Sequence, residues 1–170
     1  MRLFFFGTLM DGELRTLVIG RALPDASIEP ATIRGFRRVP VAFRAYPMLV
    51  RRGAGRVDGV LVGGLDAAAL RRLQAYEGEE YALRPGRVRT GAGRMVAALA
   101  FLCRRRVTPG HRDWRLDRWQ RRHKCGALRE AKAMLARAGQ NAAPPPRPPE
   151  DWRRPAKANG PMASQNAWRR

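Results

Sequence analysis

The chain opens with a short apolar run that stops at a glycine. Residues 2–6 (RLFFF) have the length and aromatic content of one buried strand, and Gly7 ends the run. Asp11 then has the side chain of a helix N-cap, and leucine and valine recur on one face of residues 12–19 until Gly20. This pattern predicts a strand, a tight turn and a first helix.

The next hundred residues alternate less regularly between strand and helix patterns. Asp66 predicts the cap of a second helix over residues 67–76. Segments rich in β-branched and aromatic residues, bounded by glycine or proline, predict strands at 31–43, 46–52, 55–65, 81–90 and 93–106, the last two around a glycine-containing hairpin turn. Because helices do not alternate with every strand, the order favours an α+β fold, a small mixed sheet or barrel with helices against it.

The character of the chain changes after Arg106. Residues 109–139 predict a basic helical region, with a possible break at Gly126 and with large apolar side chains at Trp114, Trp119, Leu128, Ala131 and Leu135. The segment that follows is rich in proline, alanine, asparagine and arginine, a composition typical of disorder. The predicted organisation is therefore a domain at 1–106, a helical extension at 107–139 and a disordered tail at 140–170.

Charge, cysteine content and the length of the first apolar run indicate which classes of protein the chain can belong to. The 170 residues carry 34 lysines and arginines against 14 acidic residues, a net charge of +20 that attracts polyanions or simply reflects an arginine-rich genome. Cys103 and Cys125 form neither a disulfide framework nor a zinc signature. The first apolar run is too short for a signal peptide or a membrane span. We therefore expect a cytoplasmic protein that does not enter membranes and keeps both thiols reduced.

Few residues qualify as conventional catalytic groups. His111 and His123 lack partners at metal-ligand spacing and are interpreted as solvated helix residues, while Cys103 is interpreted as core. The acidic residues of LQAYEGEEY remain, beginning with Glu77 just before Gly78. Taken alone, this motif is typical of a helix C-terminus with a surface glutamate and a capping glycine.

Four segments in order change that interpretation. FFFGTLMDGEL, YPMLV, VDGVLVGGL and LQAYEGEEY, all within residues 1–104, together resemble the gamma-glutamylcyclotransferase-like family. The resemblance implies a small mixed β-barrel with flanking helices, here followed by a C-terminal helical extension. It also implies a reaction that needs no metal or cofactor, in which a gamma-glutamyl amine or amino acid cyclises to 5-oxoproline and releases the amine.

The resemblance also assigns roles to residues. The catalytic glutamate of the family falls on Glu77, and its substrate-binding loop falls on Phe6, Gly7, Thr8 and Leu9. Tyr46 and Tyr81 are candidates for the pocket wall or for ordinary packing. Two positions depart from the family pattern, because Phe6 replaces the usual tyrosine and Gln74 the usual aspartate.

Those roles are chemically sensible because the substrate's own α-amino group is the nucleophile. One carboxylate can take its proton and return a proton to the leaving amine, while backbone N–H groups of the loop bind the α-carboxylate and the developing oxyanion. Partial burial would raise the pKa of such a carboxyl group. Two hypotheses follow: a cyclotransferase that binds a small gamma-glutamyl substrate, or a catalytically idle binding module whose basic extension and tail contact nucleic acid or another polyanion.

Overall fold

The computed structural model of the protein describes residues 1–103 and 107–140, with side chains up to residue 137. Its strands and helices are, in chain order, β1 (Leu3–Phe5), α1 (Gly12–Ile19), β2 (Ile28–Pro40), β3 (Pro47–Val62), α2 (Ala67–Glu77), β4 (Tyr81–Thr90), β5 (Met95–Cys103), α3 (Leu116–Arg122) and α4 (Lys124–Gln140). Short 3-10 turns occupy Thr8–Met10 and Asp25–Ser27.

The five strands close into a barrel in the order β1-β3-β2-β4-β5. Antiparallel pairing joins β1 to β3, β3 to β2, β2 to β4 and β4 to β5. The barrel closes where β5 lies parallel to β1, with Leu3 opposite Leu99. This arrangement confirms the predicted α+β fold with a mixed barrel and flanking helices.

The phenylalanines of β1 divide between two cores because successive side chains of a strand point to opposite faces. Leu3 and Phe5 belong to a cluster that includes buried residues of the helices. Phe4 and Phe6, the residue just after β1, belong to a second cluster, whose other buried members, Ile33 among them, lie in the strands of the barrel. The opening run of the chain therefore anchors the strand on both sides before the chain turns at Gly7.

The helix termini follow the predicted capping pattern. Asp11 accepts a hydrogen bond from the Leu14 N–H at 3.0 Å, and Gly20 ends α1 with a φ of 91°. Asp66 caps α2 in the same way, through the Ala69 N–H at 2.7 Å. Each cap satisfies an N–H group that has no acceptor within its own helix.

Three local predictions were wrong. The strands expected at 46–52 and 55–65 are one strand, β3, because pairing with β2 continues past a register shift between Arg34 and Phe36. The helical region starts only at Leu116, since the preceding residues run alongside the barrel, where Val41 pairs with Pro109. The break between α3 and α4 lies at His123, not at Gly126.

The C-terminal helices share the core of the barrel domain. Trp114, Trp119, Ala131 and Leu135 are buried in the same cluster as Leu3. The predicted division into 1–106 and 107–139 remains a prediction, and the predicted tail, apart from Gln140, lies outside the described residues. Within the described part of the chain, no helix is long and apolar enough to span a membrane.

Candidate active site

One cavity of about 700 Å³ lies between the loop after β1, the C-terminal end of α2 and the face of α4. Its volume falls in the range of ~300–1,000 Å³ that is typical of small-molecule sites. The structure brings to its wall every site residue predicted from the sequence: Phe6, Gly7, Thr8, Leu9, Tyr46, Glu77 and Tyr81.

Glu77 is the last residue of α2, and its position depends on Gly78. Gly78 adopts a φ of 68°, which lets the chain leave the helix at once for β4. Part of the Glu77 side chain remains accessible, and it lines the cavity; protein surrounds the rest. Burial raises its pKa from 4.5 to about 8. The helix C-terminus acts in the same direction, because the macrodipole there disfavours negative charge.

No protein donor stabilises the charged form of Glu77. Within the described residues, neither a hydrogen bond nor an ion pair reaches its carboxyl group, although the adjacent Tyr76 and Tyr81 both interact with its charge. A half-buried carboxyl group that accepts no hydrogen bond from the protein can accept one from a ligand.

At the loop residue Gly7 the structure shows a close contact that the sequence did not reveal. The φ of Gly7, −119°, lies outside the left-handed region that favours glycine. A Cβ at this position would instead lie 3.1 Å from the ring of Pro47, closer than ordinary packing allows. Glycine therefore lets the loop lie against the start of β3.

The loop leaves three consecutive N–H groups unused. The N–H of Met10 donates to Gly7 and that of Asp11 to Thr8, both at 3.0 Å. In the described chain, no protein acceptor faces the N–H groups of Gly7, Thr8 and Leu9. These residues line the cavity, so their amides are available to an anionic ligand.

Tyr76 is a site residue that sequence reasoning missed. Its hydroxyl lies 3.3 Å from the hydroxyl of Thr8, and it lines the cavity beside Glu77. Burial raises its pKa to about 12, so the hydroxyl stays protonated. Phe6 has no hydroxyl group, unlike the tyrosine usual at its position, and the hydroxyl of Tyr76 is a phenolic donor near the loop. Its place directly before Glu77 in the motif was the available signal.

Tyr46 and Tyr81 form an aromatic part of the cavity wall. Their rings make an edge-to-face contact with centroids 6.4 Å apart. Burial raises the pKa of both hydroxyl groups, so both side chains are neutral donors at physiological pH. The sequence left open whether Tyr46 and Tyr81 pack against other residues or line the pocket. They do both, because the two rings contact each other and both residues line the cavity.

The helices after the barrel contribute a wall that the sequence did not predict. Arg129, Glu130 and Met134 of α4 line the cavity. The site therefore depends on a segment that lies far from the sequence motifs. His123 also lines it, from the junction of α3 and α4, whereas His111 lies in the loop before α3 and not in a helix.

Asp11 ties this wall to the loop. It is buried to 2 % exposure, and its Oδ2 accepts hydrogen bonds from Gln120 at 2.7 Å and Lys124 at 2.9 Å. Burial alone would raise the pKa of Asp11, but the bonds from the Leu14 N–H, Gln120 and Lys124 outweigh it and lower the pKa. The loop and the last two helices are thus joined through one carboxylate.

The described residues offer no cluster of histidine, cysteine, aspartate and glutamate that could hold a metal ion. Cys125 is exposed and Cys103 is only partly buried, so the interpretation of Cys103 as core is too strong. Gln74 stands where the family pattern has an aspartate. Its side chain donates a hydrogen bond to the Gly78 carbonyl at 3.4 Å and so supports the turn after Glu77.

Known proteins resemble this chain over most of its length. An Arabidopsis thaliana protein named AIG2-like protein A is 28% identical over 134 residues, which cover 78% of this chain and 79% of the relative. A solution structure of an Arabidopsis thaliana protein covers 84% of this chain and 93% of its own, with a TM-score of 0.57 and 23% identity. A structure named gamma-glutamyl cyclotransferase covers 89% and 95%, with a TM-score of 0.50 and 13% identity. At such identities the two structures support the fold alone.

The family assignment rests on a sequence profile. The profile described as "Gamma-glutamyl cyclotransferase, AIG2-like" matches residues 3–121, which include the loop, Glu77 and most of α3. The match thus extends past the barrel into the first C-terminal helix, in keeping with the shared core. The chain belongs to the AIG2-like gamma-glutamyl cyclotransferase family.

Proposed function

We propose that the protein is a cyclotransferase that converts a gamma-glutamyl amine or amino acid to 5-oxoproline and the free amine. The observation that carries the proposal is that a carboxyl group and a set of backbone N–H groups line the same cavity, and neither has a hydrogen-bond partner among the described residues. Within the part of the chain that the structure describes, no donor reaches the carboxyl group of Glu77, and no acceptor reaches the N–H groups of the loop at Gly7–Leu9. An amino acid head group, with its ammonium and its carboxylate, complements both.

In the proposed reaction, Glu77 is first the base and then the acid. Its carboxylate takes a proton from the substrate's α-ammonium, and the freed amine attacks the γ-carbonyl carbon to close a five-membered ring. The carbonyl oxygen becomes an oxyanion. Glu77 then gives the proton to the nitrogen of the leaving amine as the old C–N bond breaks and the carbonyl re-forms, and it takes the second proton from the ring nitrogen, which becomes the lactam N–H. The released amine accepts this second proton and leaves as its ammonium, so Glu77 is again a carboxylate. No water or external nucleophile is consumed.

The raised pKa of Glu77 suits this double role. A group that titrates near 8 gives up and accepts a proton at comparable cost near neutral pH, unlike an ordinary glutamate. Binding of the substrate ammonium beside it favours the charged form, because an opposite charge stabilises a carboxylate. The empty site thus holds a proton that the substrate helps to release.

The loop and the tyrosines are assigned to binding. The N–H groups of Gly7, Thr8 and Leu9 are proposed to bind the α-carboxylate and the oxyanion, with the Tyr76 hydroxyl alongside. Tyr46 and Tyr81 are proposed to cover the apolar carbons of the glutamyl chain. A γ-glutamyl group is small compared with a cavity of about 700 Å³, so the leaving amine has room along α4.

The second candidate function is a binding module that keeps the pocket without turnover. The replacement of the usual tyrosine by Phe6 and of the usual aspartate by Gln74 favours it. Contact of the basic extension and tail with a polyanion, which was expected with this alternative, stays a prediction, because most of the tail lies outside the described residues.

A matched pair of variants tests the enzyme assignment. A set of gamma-glutamyl amines and amino acids is assayed for 5-oxoproline with wild type, Glu77→Gln and Glu79→Gln. Glu79 is an exposed neighbour and controls for the loss of one negative charge. We expect Glu77→Gln to lose ~100-fold or more of the activity, as is typical for loss of a general acid–base group, and Glu79→Gln to stay near wild type. Activity of Glu77→Gln within about threefold of wild type would falsify the role of Glu77.

A further inference from the structure

All five carbonyl groups of the loop residues 6–10 are occupied by protein donors. The Gly7 and Thr8 carbonyls accept from N–H groups of the loop itself. The Phe6 carbonyl accepts from Arg38 Nη1 at 2.8 Å. Those of Leu9 and Met10 accept from Arg15 Nη1 at 3.2 and 3.1 Å. Three of the five acceptors therefore depend on two arginine side chains.

The two arginines approach from different elements. Arg15 projects from α1 back onto the end of the loop, six residues earlier in the chain. Arg38 comes from β2 and also contacts the Met10 sulfur and the Asp58 carbonyl, both at 3.1 Å. Its guanidinium lies over the ring of Trp114, 5.1 Å from the centroid. The loop is thus fastened to α1, the barrel and the segment before α3.

We propose that Arg15 and Arg38 are positioning residues that fix the peptide planes of the loop and so keep the N–H groups of Gly7, Thr8 and Leu9 free for an anion. The inference rests on the proposed function, because the anion is the substrate carboxylate or oxyanion. A peptide plane has its N–H and C=O on opposite sides, so a carbonyl held by an arginine keeps the following N–H turned away from it. Arg38 holds the Phe6 carbonyl and so orients the Gly7 N–H directly. Arg15 acts one step further away: it holds the carbonyls of Leu9 and Met10 and so orients the N–H groups of Met10 and Asp11. Those two N–H groups hold the carbonyls of Gly7 and Thr8, which fixes the N–H groups of Thr8 and Leu9.

Stability alone accounts poorly for Arg38. Its burial lowers its pKa, yet the guanidinium remains charged as arginine does in proteins. Among the described residues its buried Nε finds no partner, and a buried N–H donor without an acceptor is costly. What arginine adds is a donor for the Phe6 carbonyl and a positive charge behind an anion-binding loop.

The test compares Arg38→Gln, Arg38→Lys and Arg15→Gln with wild type, and Arg56→Gln is the control. Arg56 is an exposed arginine of β3 that pairs with Asp58 and does not contact the loop. Two readouts are recorded for each folded variant. One is the NMR resonances of the amides of Gly7, Thr8 and Leu9 in the empty protein, which require no ligand. The other is the affinity for 5-oxoproline, measured by calorimetry.

We expect Arg38→Gln and Arg15→Gln to shift the three loop amides and to weaken 5-oxoproline binding about tenfold, which corresponds to ~1.4 kcal/mol of binding free energy. Arg38→Lys should recover part of the affinity, because it keeps the charge and one donor. Arg56→Gln should match wild type. If Arg38→Gln fails to fold, Arg15→Gln and Arg38→Lys still decide the outcome.

Two results would separate the claims. Unchanged loop amides and affinity within about twofold in the folded arginine variants would overturn the positioning role, whatever the activity of the enzyme. The second result is that the loop amides shift in the arginine variants, while wild type neither binds 5-oxoproline nor turns over substrate. This result would uphold the role of the arginines in fixing the loop, but it would overturn the assignment of the loop to this substrate, and the proposed function with it.

Discussion

Replacing Glu77 by glutamine should stabilise the protein at alkaline pH. The folded state raises the pKa of Glu77 from 4.5 to about 8, so the folded protein binds this proton more tightly than the unfolded chain does. Stability contributed by such a group is complete below pH 4.5, falls as the pH rises towards 8 and is constant above it. Glutamine is neutral at every pH and escapes that loss.

The shift sets the size of the effect. Each pKa unit corresponds to 1.36 kcal/mol, so ionising Glu77 in the folded protein costs roughly 5 kcal/mol at most relative to the unfolded chain. Water in the cavity relieves part of this cost, and we expect about 2–4 kcal/mol. If Glu77 has the proposed catalytic role, its ionisable carboxyl group makes the protein less stable at alkaline pH than glutamine would, a common trade between stability and activity.

The assay is chemical unfolding of wild type, Glu77→Gln and Glu79→Gln at intervals between pH 5 and pH 9. Subtracting the wild-type free energy of unfolding from that of Glu77→Gln cancels the other titrating groups. The difference should grow as the pH rises, whereas Glu79→Gln should run parallel to wild type. A constant difference between wild type and Glu77→Gln across this range would refute the raised pKa and the reasoning that depends on it.

Three further predictions concern the site and its support. In the active enzyme, kcat/KM should rise with pH up to about 8, because Glu77 must lose its proton before it acts as a base, and a flat pH profile would count against that role. Tyr76→Phe should lower kcat/KM about five- to tenfold, since a hydrogen bond of ~1 kcal/mol from the hydroxyl to the substrate is lost, and loss of the contact with Thr8 should lower the free energy of unfolding by about 1 kcal/mol; unaltered kinetics would leave the hydroxyl without a function in the reaction. Asp11→Ala should lower the free energy of unfolding by about 2–4 kcal/mol in chemical denaturation, because it removes a helix cap and leaves Lys124 without its buried partner; a loss below about 0.5 kcal/mol would show that the carboxylate does not join the helices to the loop.

The sequence predicted what depends on local patterns. Asp11 and Asp66 are read directly as helix caps, and Gly78 as the end of α2, because capping involves only a few consecutive residues. The same locality placed Glu77 at a helix terminus. The motif order then predicted the barrel and the residues that meet in the cavity, through resemblance to a family and not through periodicity.

The parts that were missed depend on contacts between distant residues. The continuity of β3 is set by its pairing with β2, which no pattern within β3 records. Arg38 looked like one of many surface arginines, and its bond to Phe6 spans 32 residues. Gln120 and Lys124 reach Asp11 across more than a hundred positions. Packing of α4 against the site is likewise decided by tertiary structure, so the cavity wall there had no local signal.

The central claim is that the pocket performs cyclisation with Glu77 as the acid and base. The most direct measurement is an NMR analysis of the products formed from a gamma-glutamyl amine by wild type and Glu77→Gln at pH 8. The account predicts 5-oxoproline and free amine in equal amounts with wild type, and neither above background with Glu77→Gln. Formation of glutamate in place of 5-oxoproline would show that water, and not the substrate's amine, is the nucleophile. That result, or equal product formation by the two proteins, would contradict the account.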